Sequence, residues 1–369
     1  MKYRPLGEIA PKASPMSSPR PLWRTLTLYS LGFLVIFGVA IFVGSAAWTP
    51  TQIWSAVCHG DDPEALAQWL DFRVWRALYA ASVGAALALA GVAFQAVLRN
   101  PLAEPYILGV SGGAALGAMT GSWLLPWFGV ASLSAVVSGD GYGDAIVSLL
   151  SFGGAALAVL LLLAISAVGR LHNPSTLILA GVILNAVFGA LILLIFSLAP
   201  EQQIVMGLMR LMGNIGGETV IGTPHLKHNL LVLVVATTLL MSAARHLDLL
   251  ALSDDEALDL GLAVRRFRVV TLLVASLLTG VVVASAGPIG FVGLIVPHIA
   301  RRLHGAEHRR LIPIALIAGG AFLVAADALS RSIHAAQPLP VGVITALAGG
   351  PFFLALLVLQ AREGDTIDE

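Results

Sequence analysis

Residues 99–114 read RNPLAEPYILGVSGGA and carry the chain out of one apolar segment, 77–98, and into the next, 105–125. A membrane-spanning helix needs roughly 20 mostly apolar residues, because the hydrocarbon core is about 30 Å thick and each helical residue rises about 1.5 Å. Both segments reach that length. The stretch therefore predicts the connection between two membrane-spanning helices.

The chain as a whole is too apolar for a water-soluble protein. It has 57% hydrophobic and 11% charged residues and a mean hydropathy of +0.88, whereas a soluble domain has about 25% charged residues. We predict an all-α polytopic membrane protein with about ten transmembrane helices and both termini in the cytoplasm. Nine or eleven spans stay possible, because the eighth segment is short and the sequence does not define its ends sharply. The ten segments are 26–48, 77–98, 105–125, 144–169, 175–199, 229–244, 269–286, 289–303, 311–330 and 341–361.

These spans define three regions: a basic cytoplasmic tail at 1–24, a ten-helix domain at 25–361 and a short cytoplasmic tail at 362–369. A basic tail before an apolar segment also resembles a cleaved signal peptide. The apolar region of a signal peptide is typically about 7–15 residues, however, which is shorter than 26–48. Retention as a first membrane helix is the favoured interpretation.

Lysine and arginine are spread unevenly over the predicted loops. With the N-terminus inside, 16 of the 21 basic residues fall on cytoplasmic segments and span ends, as the positive-inside rule requires. Asp327 and Arg331 lie one helical turn apart, so an i,i+4 ion pair explains both. The basic residues predicted on the outer side are Arg73, Arg76, Arg210, Lys227 and Arg331.

Several function classes lack their sequence signals. The net charge of zero argues against nucleic-acid binding, and the single Cys58 excludes an intrachain disulfide or a thiolate cluster. The chain has no G-x-x-x-x-G-K-S/T loop to cradle ATP phosphates and no H-E-x-x-H metal motif. We therefore expect no catalytic residues, no metal site and no permanently bound cofactor in this chain.

Two short segments outside the spans have helix signals. Ser253 and Glu256 form a capping box and Gly261 follows as a terminator, which predicts a helix at about 254–260 on the cytoplasmic face. The basic run 265–268 beside it suggests that this helix is a docking element. Asp61-Asp62-Pro63-Glu64 similarly predicts a short surface helix, through residue 70, on the outer side.

Glycine and proline patterns mark two further features. The glycines at 109, 113, 117 and 121 lie along one side of the third span, which favours tight helix packing, with sliding between states as the alternative. Residues 287–293, GPIGFVG, predict a broken or sharply turned junction between the seventh and eighth spans. A cavity-lining break and a plain tight turn both stay open.

Four blocks in order closely resemble the FecCD-type permease family of type II ABC importers for vitamin B12, haem and ferric siderophores. The resemblance extends over about 73–357. The first block is the stretch 99–114 with GAALALAG at 84–91 before it. The others are LILAGV at 177–182, GPIGFVGLIVPHIAR at 287–301 and LPVGVITAL at 339–347.

The resemblance implies a transport subunit rather than an enzyme. Its expected setting is the bacterial inner membrane, surrounded by lipid, as a homodimer with the translocation path on the two-fold axis. Its expected partners are two cytoplasmic ABC ATPase subunits that use the ATP and a periplasmic binding protein. Haem is the preferred cargo, ahead of ferric siderophore and cobalamin, and a stand-alone secondary transporter is the alternative from another class.

The resemblance also implies roles for individual residues. By the resemblance, Arg73, Arg76 and Arg331 are expected to dock the binding protein. Trp75 occupies a position where the family usually has proline. A cytoplasmic segment at about 245–268 is expected to contact the ATPase. The residues assigned to this coupling are Ser253, Glu256, Leu258, Leu260, Gly261 and Leu262. The cytoplasmic gate is assigned to Asn100, Leu102, Ser175 and Thr176. An adaptable lining of the path is assigned to Met206, Met209 and Met212, since thioether side chains repack easily, with core packing as the alternative.

Overall fold

The computed structural model of the protein describes residues 21–42, 55, 70–124, 142–169, 174–215, 224–333 and 339–365. Within these ranges the secondary structure is helical and contains no strand, which confirms the all-α fold. One turn of π-helix, Leu70–Trp75, runs directly into the second helix. The α-helices are α1 Leu22–Phe42, α2 Arg76–Val97, α3 Val110–Leu124, α4 Tyr142–Gly169, α5 Pro174–Leu198, α6 Glu201–Leu211, α7 Pro224–Ser242, α8 Ala244–Leu249, α9 Asp254–Asp259, α10 Val264–Ala286, α11 Val292–His304, α12 His308–Ile333 and α13 Val341–Asp365.

Each of the ten predicted spans contains one helix, namely α1 to α5, α7 and α10 to α13. Six of these are long and apolar enough to cross a membrane by length and composition, and α7 and α13 contain shorter apolar stretches. The chain is therefore a multi-pass membrane protein. Helix α13 extends to Asp365, into the region predicted as a tail. The predicted outer helix before residue 70 lies outside the described residues.

Helix α2 is the central helix of the described bundle. In the span Arg73–Val97, 89% of the most apolar window is buried, against 11% for α1 at the periphery. Glycines let neighbouring helices approach the α2 backbone. A Cβ at Gly91 would overlap the carbonyl oxygen of Gly293 on α11, and one at Gly84 would overlap that of Gly319 on α12.

The glycine stripe of α3 packs against α4. A Cβ at Gly117 would overlap the carbonyl oxygen of Leu150, and Gly113 and Gly154 face each other so closely that neither position has room for a Cβ. The tight-packing interpretation is confirmed for Gly113, Gly117 and Gly121. Gly109 instead lies before α3, with a φ of 81°, and approaches Gly181 of α5. The contact with α4 fixes α3, whose first residues are the last ones of the stretch 99–114.

The junction between α10 and α11 is broken, as its sequence predicts. Gly287 has a φ of 74° and Phe291 a φ of 70°, so the chain leaves the helical conformation at both ends of the junction. A Cβ at Gly287 would overlap the carbonyl oxygen of Arg210 at the end of α6, and Asn214 N–H donates to the Ala286 carbonyl at 2.9 Å. The break is thus packed inside the protein against the segment that follows α6.

Trp75 explains why α2 starts without a break. Its backbone is helical, with φ −63° and ψ −40°. A proline there would be able to keep that φ but would remove one hydrogen-bond donor. With tryptophan instead, the π-helical turn and α2 form one continuous helix that places Arg73 and Arg76 one turn apart.

Candidate functional site

The predicted cytoplasmic docking element is the short helix α9, and its cap has the predicted geometry. Glu256 N–H donates to Ser253 Oγ at 3.2 Å, and Ser253 N–H donates to Glu256 Oε2 at 2.9 Å. Hydrogen bonds from the Ser253 side chain and backbone lower the pKa of Glu256. Glu256 therefore holds the cap of α9 in place.

The end of α9 is equally well defined. Gly261, with a φ of 86°, donates from N–H to the Leu258 carbonyl at 2.8 Å, and Leu262 N–H donates to the Ala257 carbonyl at 3.0 Å. These two bonds are those of a Schellman cap. Ala257 and Leu262 are buried, whereas the side chains of Leu258 and Leu260 are 54% and 62% exposed. The helix thus presents two apolar side chains outward on a rigid turn.

Asp254 joins α9 to two other parts of the chain. Its Oδ1 lies 2.6 Å from Arg99 Nη2 and 2.7 Å from Arg268 Nη2. Burial alone would raise the pKa of Asp254, but the Arg268 and Arg99 guanidinium groups outweigh it and lower that pKa. Arg99 Nε also donates to the Leu250 carbonyl. The helix α9 is therefore held both to the start of α10 and to the stretch 99–114.

The predicted gate residues of that stretch form a compact turn. Asn100 Oδ1 accepts a hydrogen bond from Leu102 N–H at 2.9 Å, and both residues are buried. Leu102 packs with Leu294 of α11 and Leu356 of α13. The other two predicted gate residues, 175 and 176, lie in the first turn of α5, and their side chains are outside the described residues. The gate assignment stays a prediction.

Glu104 is a site residue that the sequence reasoning missed. Its carboxyl is 2% exposed, its Oε2 has no hydrogen-bond partner among the described residues, and the backbone of Phe291 donates to it. Burial raises the pKa of Glu104 to about 8, and the Phe291 hydrogen bond offsets part of that rise. The available signal was an acidic residue between Pro101 and Pro105 at the border of two spans. Glu104 joins the stretch 99–114 to the break before α11.

The predicted docking arginines cluster around Asp327 on α12. Arg76 Nη2 lies 2.8 Å from Asp327 Oδ1, and Arg331 Nε lies 3.0 Å from Asp327 Oδ2. Arg331 Nη2 also donates to the Ala40 carbonyl of α1 at 3.0 Å. Arg73 is close enough to interact with all three charges, and Arg73 and Arg331 are only 7% and 5% exposed. The i,i+4 pair is confirmed and gains Arg76, while the docking role stays a prediction.

The methionines lie on and just after α6, a helix that the sequence reasoning did not predict. Met209 and Met212 are 60% and 52% exposed, so neither packs in the core of this subunit. The side chain of Met206 is outside the described residues. Arg210 Nη1 donates to Ser122 Oγ at 3.0 Å and ties α6 to α3. The path-lining role of the methionines stays a prediction.

Comparison with known proteins decides the family. Residues 32–359 match the FecCD transport family. The chain belongs to this family. It is 39% identical over 289 residues to the Fe(3+) dicitrate transport system permease protein FecD of Escherichia coli, covering 78% of this chain and 84% of that protein.

Other relatives of this FecCD family member are named for different cargoes. It is 35% identical over 345 residues to the hemin transport system permease protein HmuU of Yersinia pestis, covering 90% of this chain and 96% of that protein. It is 34% identical over 339 residues to the vitamin B12 import system permease protein BtuC of Vibrio cholerae, covering 91% of this chain and 94% of that protein. A solved inward-facing metal-chelate type ABC transporter superposes with a TM-score of 0.72 at 26% identity, covering 92% of this chain and 99% of that one. The chain is accordingly an ABC importer permease and a multi-pass transport subunit.

Proposed function

We propose that this FecCD permease moves haem from a periplasmic binding protein into the cytoplasm by alternating access in the bacterial inner membrane. The observation that carries the ATP-driven part is the capped helix α9, whose Leu258 and Leu260 side chains are exposed. Two apolar side chains on a rigid, acidic turn suit a groove on a partner protein. That partner is an ABC ATPase, two copies of which serve a homodimer of this chain.

In this proposal force enters at α9 and reaches the path through the stretch 99–114. The pairing of Asp254 with Arg99 links α9 to the turn formed by Asn100 and Leu102. Glu104 then links this stretch to the broken junction before α11. Movement of α9 would shift this turn, which together with Ser175 and Thr176 is the proposed cytoplasmic gate.

The coupling proposal is tested by substituting both exposed leucines. Leu258→Ser with Leu260→Ser removes the apolar contact without touching the cap, while Leu258→Met with Leu260→Met keeps it and serves as the matched control. We expect the serine variant to lose copurification of the ATPase and vanadate-sensitive uptake, and the methionine variant to keep both. Full uptake by the serine variant would contradict the proposal, and uptake without any ATPase would favour a secondary transporter.

The cargo is tested separately, since relatives are named for ferric dicitrate, hemin and vitamin B12. The likeness to the hemin permease over 96% of its length supports haem without excluding the others. Proteoliposomes that contain this chain, the ATPase and the cognate binding protein are assayed for ligand-stimulated ATP hydrolysis with haem, ferric siderophores and cobalamin. Stimulation by cobalamin or a siderophore but not by haem would replace the cargo and leave the importer assignment intact.

The outer docking site is proposed at Arg73, Arg76 and Arg331. Its support is that the three arginines gather around one carboxylate, Asp327, where α2 begins and α12 ends. Because Asp327 already occupies two of them, docking would exchange Asp327 for the partner's carboxylate. Charge reversal of Arg73 and Arg76 should abolish affinity for the binding protein. Unchanged affinity would contradict the site.

A further inference from the structure

A large groove lies between α1 and the pair α11 and α12, and its lining includes none of the proposed coupling or docking residues. Its volume is about 1150 Å³. Most of its wall is apolar, with Phe33 and Ile36 from α1 facing Ala318, Ala321 and Phe322 from α12. Because α1 is the least buried of the six long apolar helices, the groove lies at the lipid-facing edge of the subunit.

One end of the groove is strongly basic. Arg301 and Arg302 at the end of α11 and Arg310 at the start of α12 all line it. By the positive-inside distribution, this end faces the cytoplasm. Glu307 pairs with Arg310 at 3.1 Å, but the Arg310 side chain is still 30% exposed, so its guanidinium stays reachable. The other described lining residues carry no acidic side chain.

Arg301 gives an independent indication that a ligand belongs here. Its Nε is buried and has no hydrogen-bond partner among the described residues. A buried guanidinium donor without an acceptor is costly, and a phosphate oxygen is an acceptor that matches arginine well. Tyr29 of α1 borders this end of the groove, with its hydroxyl oxygen 3.1 Å from His304 Nε2.

The dimensions also suit a lipid. The groove follows α12 from Arg310 to Ala325, fifteen residues, which is about 22 Å at roughly 1.5 Å per residue. One leaflet of hydrocarbon is about 15 Å deep, half of the roughly 30 Å core. An apolar slot of that length that opens at a basic end on the cytoplasmic side has the shape of an acyl chain below a headgroup.

We propose that this groove is a binding site for an anionic phospholipid, with the phosphate at Arg301, Arg302 and Arg310 and an acyl chain between α1 and α12. Basic pockets between transmembrane helices on the cytoplasmic side suit acidic headgroups. The lipid fills the space between α1 and α12 and fastens the peripheral α1 to the rest of the subunit. Lipid binding at this site requires neither ATP nor cargo. It can therefore be tested independently of the proposed transport function.

The test measures lipid retention by the full-length chain. The protein is purified in detergent, delipidated, mixed with phosphatidylglycerol or phosphatidylcholine, and analysed by native mass spectrometry. We expect phosphatidylglycerol adducts to exceed phosphatidylcholine adducts. The variant Arg302→Gln with Arg310→Gln should weaken phosphatidylglycerol binding by roughly tenfold or more. Each arginine near an acidic headgroup strengthens binding, and the losses at the two positions add. Arg266→Gln with Arg309→Gln removes two exposed cytoplasmic arginines outside the groove and is the matched control.

A second variant separates lipid from free phosphate. Ala321→Leu narrows the apolar slot without altering charge and should weaken phosphatidylglycerol binding, while any binding of inorganic phosphate in a thermal-shift titration stays unchanged. Equal retention of the two phospholipids by the unaltered protein would overturn the proposal. So would equal losses in the groove and control arginine variants, which would indicate general attraction to acidic headgroups. An unchanged affinity in Ala321→Leu would place the acyl chain elsewhere and also overturn it.

Discussion

Glu104 is a buried carboxyl in the connection between α2 and α3, and its surroundings make it a proton-binding group near neutral pH. Burial raises its pKa from 4.5 to about 8. Between these two values the unfolded chain has released the proton and the folded chain still holds it. Folding then requires proton uptake, so stability falls as pH rises through this window, by about 1.4 kcal/mol per pH unit.

Glu104→Gln should remove this pH dependence. Glutamine mimics the protonated carboxyl, so the variant should match the unaltered protein near pH 5 and be more stable near pH 8. The measurement is the Tm in detergent at several pH values between 5 and 8. Glu201→Gln, at an exposed acid in the first turn of α6, is the control for the loss of one carboxyl, and its Tm should follow that of the unaltered protein. Parallel profiles for the unaltered protein and Glu104→Gln would contradict the prediction.

Asp327 holds two arginines where α2 begins and α12 ends. Asp327→Asn should destabilise the protein by about 3–5 kcal/mol, because it leaves Arg76 and Arg331 largely buried without their carboxylate. The control is Glu307→Gln, which breaks a solvent-exposed pair with Arg310 and should cost about 1 kcal/mol or less. Denaturation midpoints in detergent compare the two, and equal small losses would show that the cluster adds no stability.

Sequence reasoning finds ion pairs within one helix but not between distant segments. Arg331 follows Asp327 by four residues, so the pair can be read from the chain. Arg76 is separated from Asp327 by 251 residues and Arg99 from Asp254 by 155. These contacts depend on how α2 crosses α12 and on where α9 folds back, and neither is encoded in local spacing.

At the scale of single elements, the length of an apolar segment was sufficient to predict the long helices. It did not predict the short ones. The ten apolar segments all became helices, since each can satisfy its backbone hydrogen bonds only within itself in lipid. Helix α6 was missed because Glu201–Leu211 mixes polar and apolar residues along its length. The cap of α9 was found because a capping box and a terminal glycine are local signals.

The contact between α3 and α4 depends on glycines at defined positions. Gly154→Ala should disrupt it, because the new Cβ would overlap the Gly113 carbonyl oxygen, a backbone atom that cannot rotate away. Gly153→Ala is the matched control, since a Cβ there meets nothing within 4 Å. The measurement is the yield of monodisperse protein together with its Tm. Equal behaviour of the two variants would contradict the proposed role of close backbone packing.

At the scale of the whole molecule, the stretch 99–114 is the part that the other candidate sites share. Arg99 connects it to α9, Asn100 and Leu102 form its turn, and Glu104 connects it to the break before α11. Family resemblance could assign α9 to the ATPase and this stretch to the gate. The physical link between them required coordinates, because it runs through single side chains that meet across the fold.

Arg99 is the residue at which this link can be cut without removing the turn. It has a φ of 48°, a left-handed conformation that glycine adopts without strain. Arg99→Gly should therefore keep the backbone while removing the contacts to Asp254 and the Leu250 carbonyl. We expect the ATPase to copurify and hydrolyse ATP as before, while uptake per ATP falls severalfold, because force on α9 no longer reaches the gate. Proteoliposomes with the binding protein measure both rates, and Arg266→Ala, at an exposed arginine near the start of α10, is the control. Unchanged uptake per ATP in Arg99→Gly would show that α9 moves the gate by another route. The remaining connection is then α10, whose Arg268 also pairs with Asp254.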